Sequence, residues 1–585
     1  MMTLKTRWAD EAMCDLPLPE YPRPQMVRDS WVNLNGMFDY AVTDDKTEWP
    51  AAFDGQIRVP FAIESCLSGV CKKLGADERL WYRKTFTLPV DFTGKRVLLH
   101  FGAVDWKCHV FVNGNEVARH IGGYCPFSVD VTNVLQNGDN ELIVKVYDPT
   151  DEGWQNRGKQ ASYSHGFWYT ATSGIWQTVW LEAVPQTYIE SFRLTPDIDT
   201  GVLKIATKTN NEGRLHIKVL DGETVVADRD ITNDDAVAVP NAKLWSPESP
   251  FLYDFILTCG EDSVKGYFAM RKFSIGEHGG YARLFLNNEP YFQRGLLDQG
   301  YWSDGGLTPP TDEAMVYDIQ TMKDLGFNML RKHIKVEPAR WYYHCDRLGM
   351  IVWQDMVSGG SSYAKPVVVY LPTLFPKVFG KMSDGPAYYK TFSRSSAEGR
   401  KEWLDEMQNT IHYLYNVPSI GTWVLFNEGW GQFNAAGATV MARELDDSRP
   451  IDQASGWFDE GSGDYRSVHN YFRPLVVEED EAGRAFVISE YGGFSLHIDD
   501  HSSVERVYGY KKYATTDELG VAYYNLINGT LKPLVSKGLA GAVYTQLSDV
   551  EEEVNGLMTY DRKITKINPN LDPSMLSNMH QALKS

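Results

Sequence analysis

From Tyr281 onward the chain alternates short apolar runs with stretches of helical spacing, and few folds accept that pattern. Eight runs stand out: Tyr291–Leu297, Phe327–His333, Met350–Asp355, Ile420–Glu428, Pro450–Ser455, Ser467–Phe472, Ala485–Glu490 and Gly541–Leu547. Between them lie helical stretches such as Asp312–Leu325, Pro338–Leu348, Glu398–Tyr415 and Ala435–Asp446. Runs like Ile420–Phe426 are too short for helices and apolar throughout, as strands buried on both faces are. Eight of them with helices between, over roughly 300 residues, predict a parallel (β/α)8 TIM barrel. Thr311 or Asp312 is the expected N-cap after Pro309-Pro310. The segment 357–395, rich in Gly, Ser, Pro and aromatics, follows the third strand and is expected on the catalytic face.

Upstream the pattern is all-β. Residues 1–26 end Pro-rich and read as an extended leader lying on the surface. Leu80–Leu88, Arg96–Phe101, Lys107–His120, Glu141–Tyr147 and Trp176–Ala183 read as strands, and Asn113-Gly114 is the signal of a type I′ hairpin. A jelly-roll β-sandwich is expected over 1–185. A second β unit of immunoglobulin-like size is expected over 186–276, with strands near Leu203–Thr207, Arg214–Leu220, Ala236–Val239, Phe251–Thr258 and Ala269–Ser274. The barrel then takes 277–585. At 585 residues the chain is too long for one core, which agrees with several domains.

The net charge of −20 argues against nucleic acid and anionic membranes as partners. It mildly disfavours a polyanionic substrate unless a local basic pocket overrides it. Aromatics at 13% suit sugar stacking, although β-rich cores use them too. Seven cysteines without a C-x-x-C pair point to reduced, buried thiols and no metal centre. The N-terminus lacks the apolar core of a secretory signal, and no run is long enough to span a membrane, so a cytoplasmic location is expected. Whether the chain forms a homo-oligomer is left open.

Several expected strands end in a polar side chain on the rim where such a barrel carries its chemistry: Asp298, His333, Asp355, Glu428, Tyr471 and Glu490. One carboxylate after a strand often caps the next helix, and that reading is preferred for Asp355. Glu428 and Glu490 differ because glycines follow them in N-E-G and S-E-Y-G-G. Two carboxyls on strands four and seven face each other across a barrel, the equipment for cleaving a glycosidic bond with one as acid and one as nucleophile. Asn427 is placed to donate to the sugar 2-hydroxyl, His469 and Tyr471 to orient Glu490 or line the pocket, and Trp430 to stack or to pack. Asp298, Arg331, His333, Asp355 and Gln546 complete the expected substrate-binding set.

The order of jelly roll, immunoglobulin-like unit and barrel, with N-E on the fourth strand and S-E-Y-G on the seventh, resembles glycoside hydrolase family 2. HGFWYTATSGIWQTVWLE at 165–182 and LFLNNEPYFQRG at 284–295 are similar to that family's segments closing the first domain and entering the barrel. The resemblance implies Glu428 as acid/base, Glu490 as nucleophile, Asn427 on the 2-hydroxyl and no cofactor. It also implies that Asp148 reaches the pocket from the first domain. A retaining, exo-acting enzyme on β-galactosides is the resulting expectation, with β-mannosides, β-glucuronides and arabinosides as alternatives. NMLR and VWQD resemble β-mannosidases, and Tyr544 replaces the eighth-strand Trp usual in the family. Outside the family, an inactive carbohydrate-binding protein and a metal-dependent hydrolase on His333, Asp355, His469 and Asp298 are the competing readings.

Overall fold

The computed structural model describes residues 4–375, 378, 380, 382–480, 482–567, 579 and 583. The eight expected barrel strands form in chain order: Gln293–Asp298, Met329–Lys332, Ile351–Asp355, Ile420–Val424, Ile451–Asp452, Tyr465–Asn470, Ala485–Gly492 and Leu539–Thr545. They make one sheet whose neighbours all pair in parallel, with the first strand held between the second and the eighth. The ring is nearly closed, its seam lying between the fifth strand, only two residues long, and the sixth. Strands three, four, seven and eight are buried at every position, as parallel strands covered on both faces must be. The sixth alternates buried and half-buried residues, because the connections at 453–464 and 471–484 carry no helix among the described residues.

Thr311 caps the helix Asp312–Asp324, its hydroxyl accepting from the Ala314 N–H at 3.2 Å. A small antiparallel sheet, Phe273–His278, Tyr281–Leu286 and Glu289–Pro290, closes the end of the barrel opposite the mouth. Phe273, Leu284 and Leu286 join Met329, Ile351, Val424, Val487 and Val543 in one core, so the barrel is plugged below. Gly421 and Gly541 leave room for that plug: a Cβ at either would stand 3.0 Å from Phe273 or 3.3 Å from Leu284.

The first unit is a sandwich of a six-stranded and a four-stranded antiparallel sheet over a shared apolar core. Lys107–Val112 and Asn115–Ile121 form the expected hairpin, with Asn113 at φ 50° and Gly114 at φ 77°, the two positive values a type I′ turn requires. The second unit has seven strands in sheets of three and four. Of the strand expected at Ala269–Ser274, residues 269–272 form a link after Asp262–Phe268, and Phe273 and Ser274 open the strand Phe273–His278. Thr224–Ile231, which no apolar alternation announces, pairs with Leu215–Asp221 and is mostly solvent-facing.

The leader does not merely lie on the surface. Trp8 is 3% exposed and packs edge-on against Trp302, while Thr6 donates through N and Oγ1 to Asp304 at 2.8 and 2.7 Å. Four cysteines are buried as expected, but Cys14 and Cys71 are exposed and Cys66 is half-buried. Among the described residues, no helix is long and apolar enough to cross a membrane.

The loop from Asn156 to Thr170 leaves the first sandwich and lies over the barrel mouth. It is pinned there by Asn156 Nδ2 donating to Glu406 at 2.5 Å, Arg157 N to the Ser358 carbonyl at 3.0 Å, and Tyr169 Oη to Glu553. Two domains therefore build the mouth.

Candidate active site

The fourth strand ends at Val424 and the chain runs on through Asn427 to Glu428, which is held at φ 50° in the left-handed region. A non-glycine residue there is strained by roughly 1–3 kcal/mol. The Glu428 N–H, donating to the Ser455 carbonyl at 2.9 Å, helps hold it, and Gly429 follows at φ 74°. Glu490 sits within the fully buried seventh strand. Both side chains open into one pocket with Asn427, His333 and Tyr471. Carboxylate oxygens of the two glutamates and a ring nitrogen of His469 lie within 4.8 Å of one another.

Their surroundings differ. Glu490 Oε1 accepts from Arg331 Nη1 at 3.2 Å, and Oε2 accepts from Tyr471 Oη at 2.5 Å. Burial raises its pKa, and the charges of Arg331 and Lys159 oppose that. The two donors favour the ionised form. Glu428 has one such side-chain contact, with His469 Nδ1 at 2.8 Å. Burial pushes it up to about 7, against the pull of Lys159 and Arg331.

His469 settles which way that contact runs. Burial holds its pKa down at about 3, so the ring is neutral. Ser489 Oγ donates to the Val468 carbonyl and accepts from Ser455 Oγ at 2.8 Å and Ser467 Oγ at 2.6 Å. Ser455, its proton used, accepts from His469 Nε2 at 2.8 Å. Nδ1 is then a bare acceptor, and the proton between it and Glu428 belongs to Glu428.

Arg331 is fully buried behind the pocket. It makes a two-point pair with Asp355, 2.9 Å at each end, and donates to Asn427 Oδ1 at 2.9 Å. Asn427 Nδ2 has no partner among the described residues and remains free to donate. His333 lines the pocket and bonds Asp355 through Nδ1 at 2.8 Å. Burial keeps it neutral, so its proton sits on Nδ1 and Nε2 is an acceptor.

Several expected ligands stand away from the pocket. Asp298 pairs with Lys332 at 2.7 Å, its direct partner across the first and second strands, and Leu297 takes the lining position. Asp355 and Arg331 do not line the pocket; they bond the lining residues His333, Asn427 and Glu490 from behind. Gln546 donates to Asn555 at 2.7 Å, and Thr545 faces the pocket instead. Tyr544 turns outward onto Tyr523, so its replacement of Trp does not alter the floor. Asp148 is also buried elsewhere, bonding Ser173 Oγ at 2.7 Å and Thr150 N at 2.7 Å. The first domain sends Lys159 and Phe167 instead. Trp430 lines the pocket and stacks on Phe167, centroids 5.6 Å apart and planes 4° from parallel.

Sequence reasoning missed Lys159, Phe167, Tyr508, Tyr510 and Glu553, all of which line the pocket. Tyr510 stacks on Tyr471 at 3.8 Å, bracing the hydroxyl that binds Glu490. The insert after the third strand supplies Val369, Tyr370, Thr373 and Leu374 to the rim, as its position in the barrel implied.

Three family models match this chain. They are described as glycosyl hydrolase 2 galactose-binding domain-like over 71–178, glycosyl hydrolases family 2 over 187–271, and glycosyl hydrolases family 2, TIM barrel domain, over 279–480. A beta-galactosidase of Thermoanaerobacter pseudethanolicus is 26% identical over 295 residues, 47% of this chain and 39% of that one. A beta-glucuronidase of Rattus norvegicus is 23% identical over 414 residues, 64% of this chain and 58% of that one. The chain thus spans about half the length of such curated relatives, or less. Among solved structures, a beta-glucuronidase from an uncultured Clostridium sp. superposes with a TM-score of 0.73 at 18% identity, covering 96% of this chain and 99% of that one.

Proposed function

Because the chain belongs to glycoside hydrolase family 2, and because two glutamates share its barrel mouth, we propose that it is a retaining, exo-acting β-glycosidase. The observation that carries the reading is the separation. Oxygens of Glu428 and Glu490 approach within 4.8 Å, near the spacing of about 5–5.5 Å between carboxyls in retaining enzymes and short of the roughly 6.5–9.5 Å that inverting enzymes need for a water.

In this reading Glu490 attacks the anomeric carbon while Glu428 protonates the departing oxygen. The covalent glycosyl–enzyme is then opened by water, which gives Glu428 a proton in place of the one that left with the aglycone and frees Glu490 as its oxygen joins the anomeric carbon. Arg331 and Tyr471 keep Glu490 charged, and His469 Nδ1 holds the acid proton until a leaving oxygen replaces it. Asn427 Nδ2, aligned by Arg331, donates to the 2-hydroxyl, a contact that strengthens in the transition state. The aromatic lining stacks on the sugar faces. The N-E and S-E-Y-G motifs favour a hexoside of the β-galactoside or β-glucuronide type, and relatives named for each sugar match.

Proton NMR during cleavage of an aryl β-glycoside tests the mechanism. The first sugar formed is expected as the β-anomer, converting to α only on standing. An α-anomer formed first would make the enzyme inverting and remove Glu490 as nucleophile.

A further inference from the structure

Four lysines in the described chain are more than nine-tenths buried: Lys159, Lys332, Lys335 and Lys566. Three have a carboxylate at hand. Lys332 reaches Asp298 at 2.7 Å, Lys335 reaches Glu337 at 2.7 Å, and Lys566 is 2.5 Å from Asp549. Lys159, 6% exposed, has no ion pair and no side-chain hydrogen bond among the described residues. It is also the one of the four that lines the active-site pocket.

A buried ammonium without an anion is costly once water leaves. The rings around Lys159 do not neutralise it. Nζ stands 5.6 Å from the Trp430 centroid, 5.6 Å from Tyr169 and 6.0 Å from Phe167, the outer limit of cation–π attraction. The nearby carboxyls are engaged elsewhere: Glu490 with Arg331 and Tyr471, Glu553 with Tyr169 and Asn555, and Glu428 with His469. The backbone around Lys159 is fixed in advance. Gly158 N donates to the Ser358 carbonyl at 2.9 Å, Tyr169 N to the Lys159 carbonyl at 2.9 Å, and Gln160 Nε2 to Asp105 at 2.7 Å.

Resting on the glycosidase reading of this pocket, we propose that Lys159 binds a carboxylate of the sugar, so that the substrate is a terminal β-hexuronide. The first domain then supplies the specificity residue and the barrel supplies the chemistry. The chain's acidity does not oppose this, because one enclosed cation facing the bound sugar outweighs a screened surface charge.

The test compares aryl β-glucuronide, β-galacturonide and β-galactoside on the whole chain and on Lys159→Met and Lys159→Arg, with melting curves to confirm folding. One of the uronides is expected to have the highest kcat/KM, which identifies its configuration. The uronide-to-galactoside ratio is expected to fall about a hundredfold in Lys159→Met and to recover partly in Lys159→Arg. A higher kcat/KM on the β-galactoside, or a ratio that Lys159→Met leaves unmoved, overturns the inference. Calorimetric titration with D-glucuronate, D-galacturonate and galactose separates this from the mechanism. Uronate binding that Lys159→Met abolishes, without turnover of any glycoside, would remove the hydrolase reading and keep this one. Neither turnover nor uronate binding would remove both.

Discussion

Two pairs of glutamates among the described residues are withdrawn from water in different ways, and one of the two faces the barrel pocket. Glu402 and Glu406 sit one turn apart on the helix Ala397–Leu414 and point at the first sandwich. Glu428 and Glu490 point into the barrel mouth. Burial drives both pairs toward protonation: Glu402 up to about 8, Glu406 to about 7, and Glu428 to about 7. The difference is in what the oxygens meet. Glu402 accepts from Trp106 Nε1 at 2.6 Å and Asn156 N at 3.2 Å, and Glu406 accepts from Asn156 Nδ2 at 2.5 Å. One pair joins a domain interface; the other, held by Arg331, Tyr471 and His469, lines the pocket. A perturbed carboxyl is thus an ambiguous sign of chemistry, and the cavity decides.

The largest expected effect separates the pairs directly. Glu490→Gln removes the nucleophile and should cut kcat by about 10⁴-fold or more, whereas Glu406→Gln should change it by less than about threefold. Steady-state rates on an aryl glycoside check both. Comparable losses would mean that the helix pair takes part in the reaction.

Next in size is Glu428→Ala. A general acid contributes about 10²–10⁴-fold, and mainly when the leaving group is poor. The variant should therefore lose that factor on an alkyl glycoside and far less on a nitrophenyl one. The wild-type rate should decline above about pH 7 as Glu428 loses its proton, and this alkaline limb should vanish in the variant. Equal losses on both leaving groups, with the limb retained, would exchange the roles of the two glutamates.

The same contrast explains what could be read from sequence. The barrel was legible because its strands fall in short, mostly apolar runs, the composition that burial on both faces demands, separated by stretches of helical spacing. Glu428 and Glu490 were legible because a carboxyl interrupts such a run just before glycine. Asp298 carried the same local signal and misled, because Lys332 stands opposite it in register and captures it. Tyr544 misled by one residue: a strand alternates faces, and Thr545 holds the inward position. Lys159 and Phe167 were illegible, since no local period encodes the docking of a sandwich loop over a mouth built by residues far along the chain. Tyr169 meeting Glu553 fixes that docking, and the two are 384 positions apart. Glu402 and Glu406 look like ordinary helix-surface acids in sequence, and only the packed sandwich makes them buried.

The smallest effect probes the interface pair through stability. Glu406 has a folded pKa of about 7 against an ordinary 4.5, because burial disfavours its charge. A group raised in this way gives stability that is whole below the unfolded value and is lost as pH rises through the folded one. The wild type should therefore lose stability between about pH 4.5 and pH 7 from this group, on the order of 1–3 kcal/mol. Glutamine imitates the protonated acid at Glu406, where Oε2 accepts from Asn156 and Oε1 has no partner among the described residues. Glu406→Gln should thus melt close to the wild type at about pH 5 and above it at about pH 8, with a shallower slope between. An unchanged slope would mean that Glu406 is already ionised in the fold. Glu406 would then be charged where Glu402 and Glu428 stay neutral, and burial alone would not set the protonation of these carboxyls.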